Sequence, residues 1–201
     1  MIVALINDKI NIKITDCVCT FSSDELDEML RSGLIRRKNV SYKLFINNKE
    51  LLLKCPMLKS PTDYNIVLWP SFKLPFRKYP IYVYLYSVAL YLSSKMSMRD
   101  VAAHVKNKFG LDKFSHSTIS RTLKKLSNII DLILDIFPVN KQVNSGLDLK
   151  PVGRINWDTI HKEKYYALLR VLLPVLDIRQ LQDYSCLLNY KYFKKYQKFI
   201  I

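Results

Sequence analysis

Residues 96–126 read MSMRDVAAHVKNKFGLDKFSHSTISRTLKKL, and this stretch decides how the rest of the chain has to be organised. It divides into two helices joined by a short turn, because each half carries its own start signal and its own apolar stripe. Ser97 is a good N-cap, and Met98, Val101, Ala102 and Val105 recur at helical spacing, which predicts a first helix ending near Lys108. Gly110, one of only four glycines, falls where a left-handed residue closes a helix. Ser115 or Ser117 can cap a second helix whose inward stripe is Ile119, Leu123 and Leu126. Its outer face then holds His116, Ser117, Thr118, Ser120, Arg121, Lys124 and Lys125. Hydroxyls and an arginine near a helix N-terminus are the groups that reach base edges in a DNA major groove, while lysines further along meet phosphates.

The phrases MSMRDVA and FSHSTISRTLKKL resemble the helix-turn-helix of bacterial insertion-sequence transposases and related insertion-sequence-associated proteins. The matching positions are Ser97, Arg99, Asp100, Val101 and Ala102, then Ser115, His116, Thr118, Ile119 and Arg121. The resemblance extends to Leu74–Ser93 as the preceding helix, with the Pro-aromatic-Arg segment Trp69 to Pro80 leading into it. It implies a homeodomain-like trihelical unit that binds DNA, with Arg99 among its contacts.

Working backwards, five of the eight prolines lie between Pro56 and Pro80, a density that ends regular helix and marks a linker or strap. Arg77 and Lys78 at its end are candidate phosphate or minor-groove contacts, as in an arm preceding a three-helix unit. The alternative is that Trp69, Phe72 and Phe76 pack the strap while its charges face water. IYVYLYSVALYLSS then starts a helix behind Pro80, with Leu85, Val88, Ala89 and Leu92 as its stripe and its tyrosines in core and rim.

The N-terminal third reads as a small α+β unit. MIVALI and INIKIT suit a strand pair turning at Asn7-Asp8, and YKLFINNKELLLK suits a hairpin around Asn47-Asn48. Between them Ser22 or Ser23 caps a helix through DELDEMLRSG that ends at Gly33. Its carboxylates Asp24, Glu25, Asp27 and Glu28 suit a solvated first turn better than a metal site.

Forwards, the second helix of the pair is expected to continue through SNIIDLILDIF to Phe137. Ile129, Ile130, Ile133, Leu134 and Phe137 are too apolar to face water, so they must join a shared core or a homodimer interface. After a polar loop, Asn156 caps a helix that Pro174 breaks, and a last helix starts near Asp177 with Leu181, Tyr184, Leu187 and Leu188 along one side. Its tail interleaves aromatics with lysines, a pattern for single-stranded nucleic acid but more often for an amphipathic helix packed on its own domain.

The formal net charge is +15, and between Arg77 and Lys125 ten Lys or Arg face two Asp, so the excess peaks where the paired helices lie. Such a charge attracts polyanions. Cys17, Cys19, Cys55 and Cys186 lack the second close pair that a zinc ribbon needs, so they read as free thiols in a reducing, cytoplasmic or nucleoid-associated setting. No leader or membrane-length apolar run stands out. Asp148, Asp158, Glu163, Asp177 and Asp183 do not end strand-like runs, as the carboxylates of a transposase catalytic sheet would, and no phosphate-cradling glycine loop is present.

The expected fold is α+β. It comprises a small α+β domain over 1–60, a Pro-rich linker or strap over 61–80, a helix-turn-helix domain over 81–137 and a helical segment over 155–201. The expected function is sequence-specific binding of double-stranded DNA, without catalysis, cofactor or membrane. A truncated or accessory transposase subunit working with a catalytic partner is the alternative, as is a basic structural protein.

Overall fold

The structure is a computed structural model that describes residues 2–7, 11–46, 48–138 and 159–201. It is α+β, with one sheet built from the N-terminal third and helices from the rest. The strands are β1 (Ile2–Ile6), β2 (Asn11–Thr15), β3 (Val18–Ser22), β4 (Ile35–Ile46), β5 (Lys49–Lys59) and β6 (Asn65–Pro70), with helix α1 (Asp24–Arg31) between β3 and β4.

β5 is the spine of the sheet. β4 runs antiparallel along one edge of it from Ile46↔Lys49 to Ile35↔Lys59. Its other edge is shared: β3 pairs in parallel at residues 52–54, and β6 pairs antiparallel at residues 57–59. Pro56, which has no amide hydrogen to offer a ladder, stands between the two partners. The expected hairpin joins β4 and β5, with Asn48 at φ +63°, while Asn47 lies outside the described residues.

The expected pairing of the first two runs does not form. β1 lies parallel to β6, and β2 instead folds back on β3 through Asp16 and Cys17, both at positive φ. That is a two-residue turn matching strand twist, here without the usual Asn-Gly signal. The sheet also runs past the expected boundary at residue 60, since β1 pairs along its whole length with β6, inside the segment read as a linker.

α1 begins as expected, with the Ser23 hydroxyl accepting from the Leu26 amide. Its acidic turn is not merely solvated. The Glu25 carboxylate accepts from the Asn7 amide at 3.2 Å and from the Tyr190 hydroxyl at 2.9 Å, joining the end of β1 to the far C-terminus of the chain.

The helical part centres on α2 (Ile81–Ser93), in which every residue from Ile81 to Ala89 is buried. A helix that is apolar all round must be enclosed. Around it pack α3 (Met98–Phe109), α4 (His116–Asn128), α6 (Thr159–Leu172), a 3-10 turn at Leu173–Leu176 and α7 (Leu181–Tyr196). The tyrosines at 82, 84, 86 and 91 are therefore core residues. α2, α3 and α4 contact one another in pairs.

α4 stops sooner than expected. Ile129 leaves helical geometry at φ −113°, ψ 12°, and the short helix α5 (Ile130–Leu134) follows as a separate element. Ile130 and Ile133 are buried, and Phe137 meets Tyr184 of α7 at 5.9 Å between ring centres. The apolar segment thus joins the chain's own core. Pro174 opens the 3-10 turn as the break before α7. The aromatic and lysine tail packs, with Tyr192, Ile200 and Ile201 buried and Phe199 against Trp69 at 5.5 Å. The Asn140–Arg154 loop and the Asn156 cap lie outside the described residues.

Leu85, fully buried at the centre of α2, tests this arrangement. Leu85→Ala should lower unfolding free energy by roughly 2–5 kcal/mol in urea denaturation, against less than about 0.5 kcal/mol for Leu52→Ala on the exposed side of β5.

Candidate nucleic-acid interface

α3 is fixed at both ends by its own sequence. Ser97 and Asp100 form a reciprocal capping box: the Asp100 amide donates to the Ser97 hydroxyl and the Ser97 amide to the Asp100 carboxylate. At the other end Gly110 adopts φ +56°, ψ 49°, and the Leu111 amide reaches back to the Lys106 carbonyl. A Cβ at Gly110 would also overlap the Asn48 side chain, so the hairpin tip of the sheet rests on this turn.

α4 presents the face expected for it. Ile119, Thr122, Leu123 and Leu126 are buried, while His116, Ser120, Arg121, Lys124 and Lys125 are exposed and Ser117 and Thr118 half-buried. Ser117, Ser120, Arg121 and Lys124 fall at helical spacing on one side. No side chain caps the helix. The Ser115 hydroxyl instead shares hydrogen bonds with those of Ser117 (2.8 Å) and Thr118 (3.1 Å); the Thr118 amide donates to the Ser115 carbonyl at 3.0 Å, and no side chain caps the amides of His116 and Ser117. Arg121 lies back along the helix, its Nε donating to the Ser117 carbonyl at 3.1 Å. Its terminal guanidinium nitrogens carry no hydrogen bond to any described residue.

The strap supplies one neighbour for this face. Arg77 stacks over the Tyr84 ring at 5.6 Å, and its charge, after desolvation, holds the Lys125 ammonium below the usual lysine range. Among the described residues no carboxylate forms an ion pair with Arg77, Arg99, Arg121, Lys124 or Lys125. Two cations close enough to disfavour each other's charge, with no acid between them, suit an anionic partner. Arg99 is exposed in the first turn of α3, and no hydrogen bond links it to the α4 set.

Lys78, the other candidate contact of the strap, has acidic partners within the protein. Its ammonium lies 2.6 Å from Asp112 and 3.8 Å from Glu50, so it is spent within the protein. Tyr79 donates to the other Asp112 oxygen at 2.7 Å and also bonds the Lys113 backbone. Lys78 and Tyr79 thus clamp the turn between α3 and α4, and the Phe45 amide donates to the Lys78 carbonyl at 2.8 Å, anchoring the clamp on β4. Sequence reasoning missed Tyr79 and Asp112. The available signal was that Asp112 is one of only two acids in a long basic stretch, and the other, Asp100, already serves its cap.

Among the described residues no cluster of His, Cys, Asp and Glu could hold a metal ion, and no helix is long and apolar enough to cross a membrane. Cys19 and Cys55 are buried free thiols, and burial pushes Cys55 up to about 12. Compared with protein-family models, with curated proteins and with solved structures, the chain matches none.

Hydrogen bonds from Lys78 and then Tyr79 hold the Asp112 carboxyl far below its ordinary range. A carboxyl depressed on folding stabilises above its unfolded pKa, and that contribution is lost as pH falls towards the folded value. In thermal denaturation, the advantage of the native protein over Asp112→Asn should be full near pH 7 and shrink once pH drops below about 4.

Proposed function

We propose that the protein binds duplex DNA sequence-specifically and without catalysis of its own, using α3 and α4 as a helix-turn-helix that α2 completes into a homeodomain-like trihelical unit. In this reading it is similar to the DNA-binding region of insertion-sequence transposases and acts in the cytoplasm, on the nucleoid. The observation that carries the proposal is the exposed face of α4, where Ser117, Ser120, Arg121 and Lys124 line up beside the unneutralised Arg77 and Lys125. His116, Thr118 and the uncapped amides at the start of α4 add donors at the end that would enter a major groove. Lys78 supports the turn rather than the DNA. A homodimer belongs to this reading only through a surface other than that of α5, whose buried side chains lie in the chain's own core.

Selection of bound sequences from random duplexes should return one motif, and none would remain if the basic charge were only compositional. If about six phosphates are neutralised, affinity for that motif should fall roughly a thousandfold between about 50 and 200 mM salt.

Reading and positioning separate within α4. Arg121→Ala should cost about 1–3 kcal/mol at the selected site and flatten preference at one or two base pairs. Lys124→Ala should weaken all sequences nearly alike and lower the salt slope by about one unit. Competition between the selected and a scrambled duplex measures both, and an Arg121→Ala protein with unchanged preference would remove α4 as the reader.

A further inference from the structure

Apart from the α4 face, the chain contains a cavity of about 710 Å³ between the sheet, the strap and the C-terminal tail. Its walls include Tyr42 of β4, Trp69 of β6 and Phe199 of the tail, with Phe76 at the strap. Lys73 also lines it, and this lysine is 3 % exposed. A buried ammonium ordinarily carries a counter-charge, because removal from water costs several kcal/mol. Lys73 has none. Its Nζ donates to the carbonyls of Leu74 and, at 3.2 Å, Arg77, and lies over the rings of Trp69 (5.2 Å) and Tyr42 (5.6 Å). That leaves one of its three hydrogens without an acceptor among the described residues. The acidic group acting on it is the Cys55 thiol, which burial keeps protonated. Burial brings Lys73 down to about 8, so at neutral pH it still carries its charge most of the time.

Three further observations bear on the cavity. The indole Nε1 of Trp69, another residue lining the cavity, is buried with no hydrogen-bond partner among the described residues, a second unused donor. Of the other charged groups lining it, Glu50 is taken up by Lys43 at 2.9 Å and Lys78 is paired with Asp112 at 2.6 Å, so Lys73 and Arg77 leave a positive surplus. Phe76 stands fully in solvent at the cavity, on a backbone at φ +55° that non-glycine residues rarely hold. An exposed ring on strained backbone has a reason to stay if something covers it.

We infer that this cavity is a binding site for a small planar aromatic molecule bearing one carboxylate or phosphate, whose anion pairs with Lys73 while its ring lies among Tyr42, Trp69 and Phe199. The site is built from residues other than the α4 face and stands whether or not the protein binds DNA. An aromatic ring matches the walls in shape and chemistry. The anion supplies the missing partner for a cation whose other hydrogen bonds go to neutral carbonyls.

The probes are benzoate and phenyl phosphate, with benzamide as the neutral counterpart and inorganic phosphate as the anion without a ring. Titrations followed by protein-observed NMR at pH 7 should show benzoate or phenyl phosphate binding at least about tenfold tighter than benzamide or inorganic phosphate. Whichever of the two binds tighter identifies the acid group. Lys73→Met keeps the bulk of the side chain and removes the charge, and it should bring the preferred anion down to the level of benzamide. The unaltered protein gives a second reading that needs no variant: affinity should decline as pH rises through about 8, where Lys73 loses its proton, while benzamide stays flat. Equal binding of benzoate, phenyl phosphate and benzamide, binding of the anions that survives in a folded Lys73→Met protein, or no binding by any probe would overturn the proposal. Lys73 would then serve only to fasten the strap through its two carbonyls.

Discussion

The enclosure of α2 is the constraint on which the rest of the structure depends. With nine consecutive residues buried, from Ile81 to Ala89, this helix has no side to give to water. α3 and α4 alone cannot surround it, since two helices cover at most part of a third. The C-terminal segment closes the gap: α6, the 3-10 turn and α7 all pack on α2, and α7 also reaches back to β1. The helices following the paired-helix region are thus the missing walls of its core. This explains why the buried residues form one cluster from Leu5 to Ile201.

A second dependency runs through the strap. Residues 71–80 are pinned to the sheet at the Ser71 amide, which donates to Ile6, and at the Lys78 carbonyl, which accepts from Phe45. They are joined to α7 where the Asn189 side-chain Nδ2 donates to the Ser71 carbonyl at 2.8 Å in a buried setting. From this fixed platform Lys78 and Tyr79 grip Asp112. The orientation of α4 is therefore set by the sheet as well as by its own contacts with α2. That gives the N-terminal third a mechanical role with respect to the face proposed for DNA, even though it contributes no residue to that face.

What was legible in the sequence was local. Ser97 and Gly110 bracket α3 through interactions spanning a few residues, Asn48 marks its hairpin by tolerating positive φ, and Ile119, Leu123 and Leu126 point inwards by period alone. What was not legible was distant or unsignalled. The parallel pairing of β1 with β6 joins segments more than sixty residues apart, and no pattern within β1 distinguishes β6 from β2 as partner. The turn at Asp16-Cys17 places Cys17, where glycine would be the usual signal, at positive φ, so the strand before Ser22 was hidden. The break at Ile129 has neither proline nor glycine to announce it. On the candidate site, the outward face of α4 could be read from its spacing, whereas the diversion of Lys78 to Asp112 could not. A lysine and an aspartate thirty-four residues apart have no reason to meet until the strap and the turn are folded together.

Arg77 and Lys78 show how much this matters for reading a basic sequence. As adjacent cations in one arm they look equivalent, and both add the same charge to the total. The fold separates them: Lys78 meets Asp112 and Glu50 and loses its long-range field, whereas Arg77 lies over the neutral Tyr84 ring and keeps it. An aromatic face steadies a guanidinium without cancelling its charge. The same holds for Lys73 over Tyr42 and Trp69, in a buried setting. Where rings rather than carboxylates accompany cations, the charge remains available to an anion from outside. Several cations of this chain meet that criterion, and among them Arg77 beside α4 and Lys73 in the cavity are connected by the strap itself, through the hydrogen bond from Lys73 to the Arg77 carbonyl.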